Sequence, residues 1–129
     1  MRKIILILTL VFVLLAGVGL NAATPLDDTK AKIAACNKLY EQAFNLMWNL
    51  HNSKNADGTP KLSDADYAVA NYKAHTYMRA YYNLVDFSGM PVGGYNTDNL
   101  KNLANDYAKF MIQKGGDAAL PLKQSLAPK

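Results

Sequence analysis

The sequence predicts an all-α protein, a small antiparallel three-helix bundle that follows an N-terminal signal peptide. Three observations predict it. Apolar residues recur at three- and four-residue steps in three separate stretches, as on one face of a helix turning 100° per residue. Clusters of Asn, Asp, Gly, Ser and Pro separate those stretches. No segment shows the strict polar and apolar alternation of a half-buried strand.

The leader comes first. Arg2 and Lys3 precede an apolar run from Ile4 to Leu20, and Asn21-Ala22-Ala23 then supplies small residues for cleavage. Residues 1–23 are therefore read as a signal peptide that is removed, which makes the product periplasmic or secreted. The alternative is a retained anchor, because this almost uninterrupted run of seventeen residues reaches the lower limit of the roughly 17 to 25 that cross a bilayer. No Cys lies near the cut, so a lipid-anchored lipoprotein is not expected.

The first helix opens at Thr24-Pro25-Leu26-Asp27, a hydroxyl to cap, Pro at the first helical position and an acid where the helix dipole favours one. Ile33, Cys36, Tyr40, Ala43, Phe44, Met47 and Leu50 share one side of it, and turn residues accumulate from about Asn52 through Pro60. The second helix opens at Ser63, with Asp66 three residues on in the arrangement of a capping box. Its apolar face collects Tyr67, Ala70, Ala74, Tyr77, Met78, Tyr81, Leu84 and Val85. The third opens at Thr97-Asp98, carries Leu100, Leu103, Ala104, Tyr107, Phe110 and Met111 on one face, and stops at Gly115-Gly116. Residues 24–116 thus form the bundle, and 117–129, with two prolines and little periodicity, read as a flexible C-terminal tail.

Composition narrows the function classes. Arg2 and Lys3 account for two of fourteen basic residues, which leaves twelve against ten acids once the leader is gone. That small excess is scattered, and Arg79 is the one arginine of the mature chain, so nucleic acid is not an expected partner. Cys36 is the single cysteine and allows no internal disulfide. Its place on an apolar stripe favours a buried small hydrophobe over a disulfide-linked dimer.

No motif specifies chemistry. Ser53 to Gly58 has the first half of a calcium loop, but Ser53 stands where the first carboxylate belongs and Asp64 where a longer Glu is needed, so an interhelical turn is the reading. His51 and His75 lie far apart along an antiparallel helix pair, and neither belongs to a zinc or haem motif. No metal or cofactor is expected, and without a nucleophile beside a base, or convergent carboxylates, an enzyme is the weaker reading.

Two places invite contact. His75 has Asn71, Arg79 and Tyr82 near it along the helix, a polar group at the seam of the apolar face. The connection Asp86 to Asn96 is long for a bundle, holds three glycines and a proline, and carries Phe87, Met90, Val92 and Tyr95. Those apolar side chains either fold back to plug the bundle end or form a recognition surface. The expected function is binding to an unidentified protein or small-molecule partner, with His75, Arg79, Tyr82, Met90, Val92 and Tyr95 as candidate contacts. Further readings are a carrier holding an apolar or aromatic ligand among Tyr77, Tyr81, Met78 and Phe44, and a membrane-associated protein if the leader is retained.

Overall fold

A computed structural model describes residues 24–93 and 96–128. The leader, Tyr95 and the assignment of residues 1–23 to a signal peptide lie outside the described residues. Within them the protein is all-α: α1 (Pro25–His51), α2 (Asp64–Leu84), α3 (Asp98–Gly115), a 3-10 turn (Gly116–Ala119) and a short α4 (Leu120–Leu126). The three long helices are those the periodicity predicts.

The caps explain where the helices start. Thr24 accepts a hydrogen bond from the Asp27 N–H at 3.0 Å, and Ser63 accepts one from the Asp66 N–H at 3.1 Å. Only half of the expected capping box forms, because the Asp66 carboxylate turns to Lys114 of α3 at 3.3 Å. The third cap also differs from expectation. Thr97 makes no side-chain cap, and Asn96 Oδ1 instead accepts from the Asp98 N–H at 2.6 Å. Asn is the stronger capping residue of the two, which accounts for the shift.

Two apolar clusters stack along the bundle axis. One gathers Ile33 and Cys36 of α1, Tyr77 of α2, Val85, and Leu100 and Ala104 of α3. The other gathers Ala43, Met47 and Leu50 with Ala70, Ala74, Tyr107 and Met111. Residue numbers rise together in α1 and α3 and fall in α2, so α2 runs antiparallel to both. Each fully buried Met or Leu contributes on the order of 1.5–3 kcal/mol.

A tyrosine layer joins the clusters. Tyr40 stacks on Tyr77 with ring centroids 4.4 Å apart and meets Tyr107 at 5.5 Å, so each long helix supplies one ring. Both buried hydroxyls find acceptors: Tyr77 donates to Asn37 Oδ1, and Tyr107 donates to Met47 Sδ at 3.2 Å. Burial pushes both phenols well above their ordinary range. Outside the core, Lys73 pairs with Asp106 at 2.7 Å, and Lys73 and Lys114 approach the Phe110 ring to 5.7 and 5.8 Å. Exposed pairs of this kind are each worth about 1 kcal/mol or less.

The C-terminal segment departs from the sequence reading. Residues 117–128 are not a loose tail: Ala119 and Leu122 are buried in the second cluster, with Leu126 packed beside them. Seven helical residues are too few for periodicity to reveal, and Pro121 is compatible with a helix's first turn. Gly116, at φ +56°, turns the chain back, and Gly115 lets it lie close. A Cβ on Gly115 would stand 2.9 Å from the Ala119 Cβ and 3.1 Å from Leu46 Cδ2.

Gly115→Ala is therefore expected to lower stability by about 1–3 kcal/mol through overpacking. Tyr77→Phe leaves Asn37 without its donor and should cost about 1–2 kcal/mol. Urea titration followed by helical circular dichroism measures both. An unchanged midpoint for Gly115→Ala would show that the 3-10 turn and α1 do not press on the end of α3.

Candidate functional site

The connections after α1 and α2 are built to one plan. In hairpin 1 (residues 53–61) Lys54 bridges Pro60, and in hairpin 2 (residues 84–92) Val85 bridges Pro91. The backbone bonds correspond: Asn55 N–H to Thr59 O at 2.7 Å and Asp86 N–H to Met90 O at 2.9 Å, then Gly58 N–H to Asn55 O and Gly89 N–H to Asp86 O, both at 3.0 Å. Gly58 and Gly89 close their turns at φ +89° and +84°, the left-handed region that favours glycine. The sequence carries the signal as Asn55-Ala-Asp-Gly-Thr-Pro60 and Asp86-Phe-Ser-Gly-Met-Pro91, a match of polar residue, Gly and Pro positions that a search for helical periodicity passes over.

Carboxylates lock both turns. In hairpin 1, Asp57 Oδ1 accepts from the Thr59 N–H at 3.0 Å and from the Thr59 hydroxyl at 2.6 Å. Residues 53–58 form the interhelical turn that their Asn, Asp and Gly predict. Hairpin 2 is tied more heavily. Asp86 Oδ1 accepts from the Ser88 hydroxyl at 2.6 Å, the Ser88 N–H at 2.9 Å and the Met90 N–H at 3.0 Å. These bonds, the Ser88 hydroxyl foremost, hold the Asp86 carboxyl below the usual carboxylate range.

The two tips differ in what they present. Ala56 occupies the place in hairpin 1 that Phe87 occupies in hairpin 2, so the turn does not require an aromatic residue there. Phe87 is fully exposed, and Met90 and Val92 are 38% and 47% exposed. Among the described residues of this loop, Phe87, Met90 and Val92 do not plug the bundle end. Val85 closes one end and Leu62 the other, both buried at the hairpin bases.

The remaining candidates are dispersed. Tyr82 is 65% exposed and meets Tyr81 edge-on at 5.5 Å. Arg79 lines a recess of about 270 Å³ between α2 and α3 with Thr76, Asn83 and Asn99. His75 is exposed and makes no hydrogen bond or ion pair among the described residues, so the polar group anticipated around it does not assemble. Of its neighbours along the helix, Arg79 and Tyr82 are exposed and Asn71 is half-buried, and one turn's separation alone brings nothing together. His51 stacks on Tyr67 at 3.9 Å and lies 3.4 Å from Asp64. No group of three or more potential metal ligands occurs among the described residues.

Sequence reasoning missed a larger cleft. It lies between the parallel helices α1 and α3, about 670 Å³, with Lys32, Lys38 and Lys101 at its edge, Cys36, Leu39 and Ala104 along its wall, and Leu126 of α4 closing one side. Gln42 also lines it, its Oε1 buried without a protein hydrogen-bond partner. Lys32 is committed to Asp28 at 3.0 Å. Burial raises the Cys36 thiol, and the nearby Lys101 charge only partly opposes this. Of the residues expected to hold an interhelical ligand, Tyr77 is buried in the tyrosine layer, and Phe44, Met78 and Tyr81 pack against the two apolar clusters.

No family model matches the chain, and no curated protein or solved structure matches it.

Two measurements check this geometry. The Asp86 carboxyl is depressed in the folded protein, so its stabilisation is present above the unfolded carboxylate value near 4 and is lost as pH falls through the lower folded value. Amide exchange of Ser88 and Met90, in excess of the intrinsic rate, should therefore rise in acid while the tyrosine layer stays protected. Alkylation of Cys36 by a maleimide should be slow at pH 7 and accelerate only at alkaline pH, since the thiolate is the reactive form. Rapid labelling at pH 7 would place the thiol in solvent.

Proposed function

We infer that the protein acts by binding, as a small exported helical bundle whose contact surface is hairpin 2. One observation carries this reading: a fully exposed phenylalanine is held at the tip of a cross-tied turn whose twin does without it. Exposed aromatic side chains on preformed supports are the usual anchors of interfaces, because little motion has to be frozen on contact. Met90 and Val92 extend the surface, and Tyr82 flanks it at the end of α2. Export rests on the leader alone.

Phe87→Ala combined with Met90→Ser and Val92→Ser should leave the unfolding midpoint within about 0.5 kcal/mol of the parent, since none of the three is buried. The same variant should lose the partner that the parent retains in co-purification from the native host. A retained partner together with lower stability would make the hairpin a structural element.

A second reading is supported by the α1–α3 cleft, whose volume lies within the roughly 300–1,000 Å³ of small-ligand sites. A carrier would hold an apolar body against Leu39, Ala104 and Leu126, with an acidic group near Lys38 and Lys101. Native mass spectrometry of protein from its own source would then show a mass surplus that Lys101→Glu reduces. An unliganded mass would count against it.

A further inference from the structure

The two hairpins close opposite ends of the bundle, and their tips differ in polarity. Hairpin 1 presents Lys54, Asn55, Asp57 and Thr59, all exposed. Hairpin 2 presents Phe87, Met90 and Val92. Chain direction decides which end is which. Because α2 runs antiparallel to α1, hairpin 2 lies where α1 begins, and Val85 at its base is buried with Ile33, Cys36 and Leu100. Leu26, in the first turn of α1, adds another exposed apolar side chain at that end.

The same end is where the apolar run Ile4–Leu20 joins the bundle. Only Asn21, Ala22, Ala23 and Thr24 separate Leu20 from Pro25. Four residues reach at most about 14 Å when fully extended. Seventeen residues in helical form rise roughly 26 Å, close to the about 30 Å of a bilayer's hydrocarbon core. Whenever that run occupies a bilayer, the end of the bundle bearing hairpin 2 is held at the membrane surface, and hairpin 1 points away. Charges at this end balance, with Lys30, Lys32, Arg79 and Lys101 set against Asp27, Asp28, Asp86 and Asp98. The attraction is thus apolar and does not depend on anionic headgroups.

We propose that hairpin 2 is a lipid contact: with the N-terminal run in a bilayer, Phe87, Met90 and Val92 insert into the interfacial layer beside it. This rests on the reading of hairpin 2 as the contact surface and names the partner as the bilayer. In the preformed turn the N–H groups of Asp86, Ser88, Gly89, Met90 and Val92 are already bonded within the hairpin, so insertion strips none of these five donors of a partner. Apolar and aromatic side chains are those that enter the boundary between headgroups and acyl chains.

The test uses the full chain reconstituted into phosphatidylcholine vesicles, with and without phosphatidylglycerol, the acyl chains brominated at shallow positions. Trp48 is the only tryptophan, so Trp48→Phe with Phe87→Trp places a single indole at the tip of hairpin 2. Its emission should shift to the blue and be quenched equally in both lipid mixtures. Trp48→Phe with Ala56→Trp should show neither change. Equal, water-like emission at the two positions would overturn the lipid contact, as would quenching that requires phosphatidylglycerol. Benzoylphenylalanine at position 87, irradiated in cells, separates the two levels of the argument: a lipid adduct supports the inference, and a protein adduct alone overturns it but keeps hairpin 2 as a contact surface. The absence of any adduct removes both.

Discussion

The tyrosine layer is the constraint on which the rest of the bundle depends. Tyr40, Tyr77 and Tyr107 come from the three long helices and meet at one level, so each helix has its axial position set against the other two. A slide of one turn, about 5.4 Å, would separate the Tyr77 hydroxyl from Asn37 and the Tyr107 hydroxyl from Met47. A buried phenol without a partner costs about 1–3 kcal/mol. A purely aliphatic core would penalise such a slide less sharply, since methyl groups tolerate many neighbours. With the register fixed, the two apolar clusters fall above and below the layer, and the hairpin bases arrive where Leu62 and Val85 can close the ends.

This arrangement separates the parts that hold the protein together from those available to a partner. Ring stacking, the Phe110 platform under Lys73 and Lys114, and the packing of α4 leave hairpin 2 free of structural duty beyond Val85. Its rigidity is local and comes from one carboxylate oxygen collecting three donors. A side chain at its tip can therefore change without disturbing the core. Comparison with hairpin 1, where Ala56 stands at the matching place, supports that independence within the same molecule.

The fold was legible in the sequence because long helices declare themselves by repetition. Ile33 to Leu50 gives five turns of consistent pattern, and Thr24 and Ser63 cap where their chemistry predicts. What escaped depends on contacts too local or too distant for periodicity. The packing of Leu122 needs Gly115 and Gly116 to bend the chain, and a seven-residue helix never completes a recognisable stripe. Asn96 displaced Thr97 as a cap through a difference of one position. Of the candidate contacts, Met90 and Val92 are exposed on one hairpin and Tyr82 on the adjoining helix end, whereas His75 stands apart. The α1–α3 cleft was hidden because a gap between helices is a property of their spacing, which no single helix records.

The burial of Ala119 and Leu122 has a temporal side. The second apolar cluster is closed by residues that follow all three long helices in chain order, so its last pieces are made after them. Until then the cluster that holds Leu46 and Leu50 lacks part of its cover.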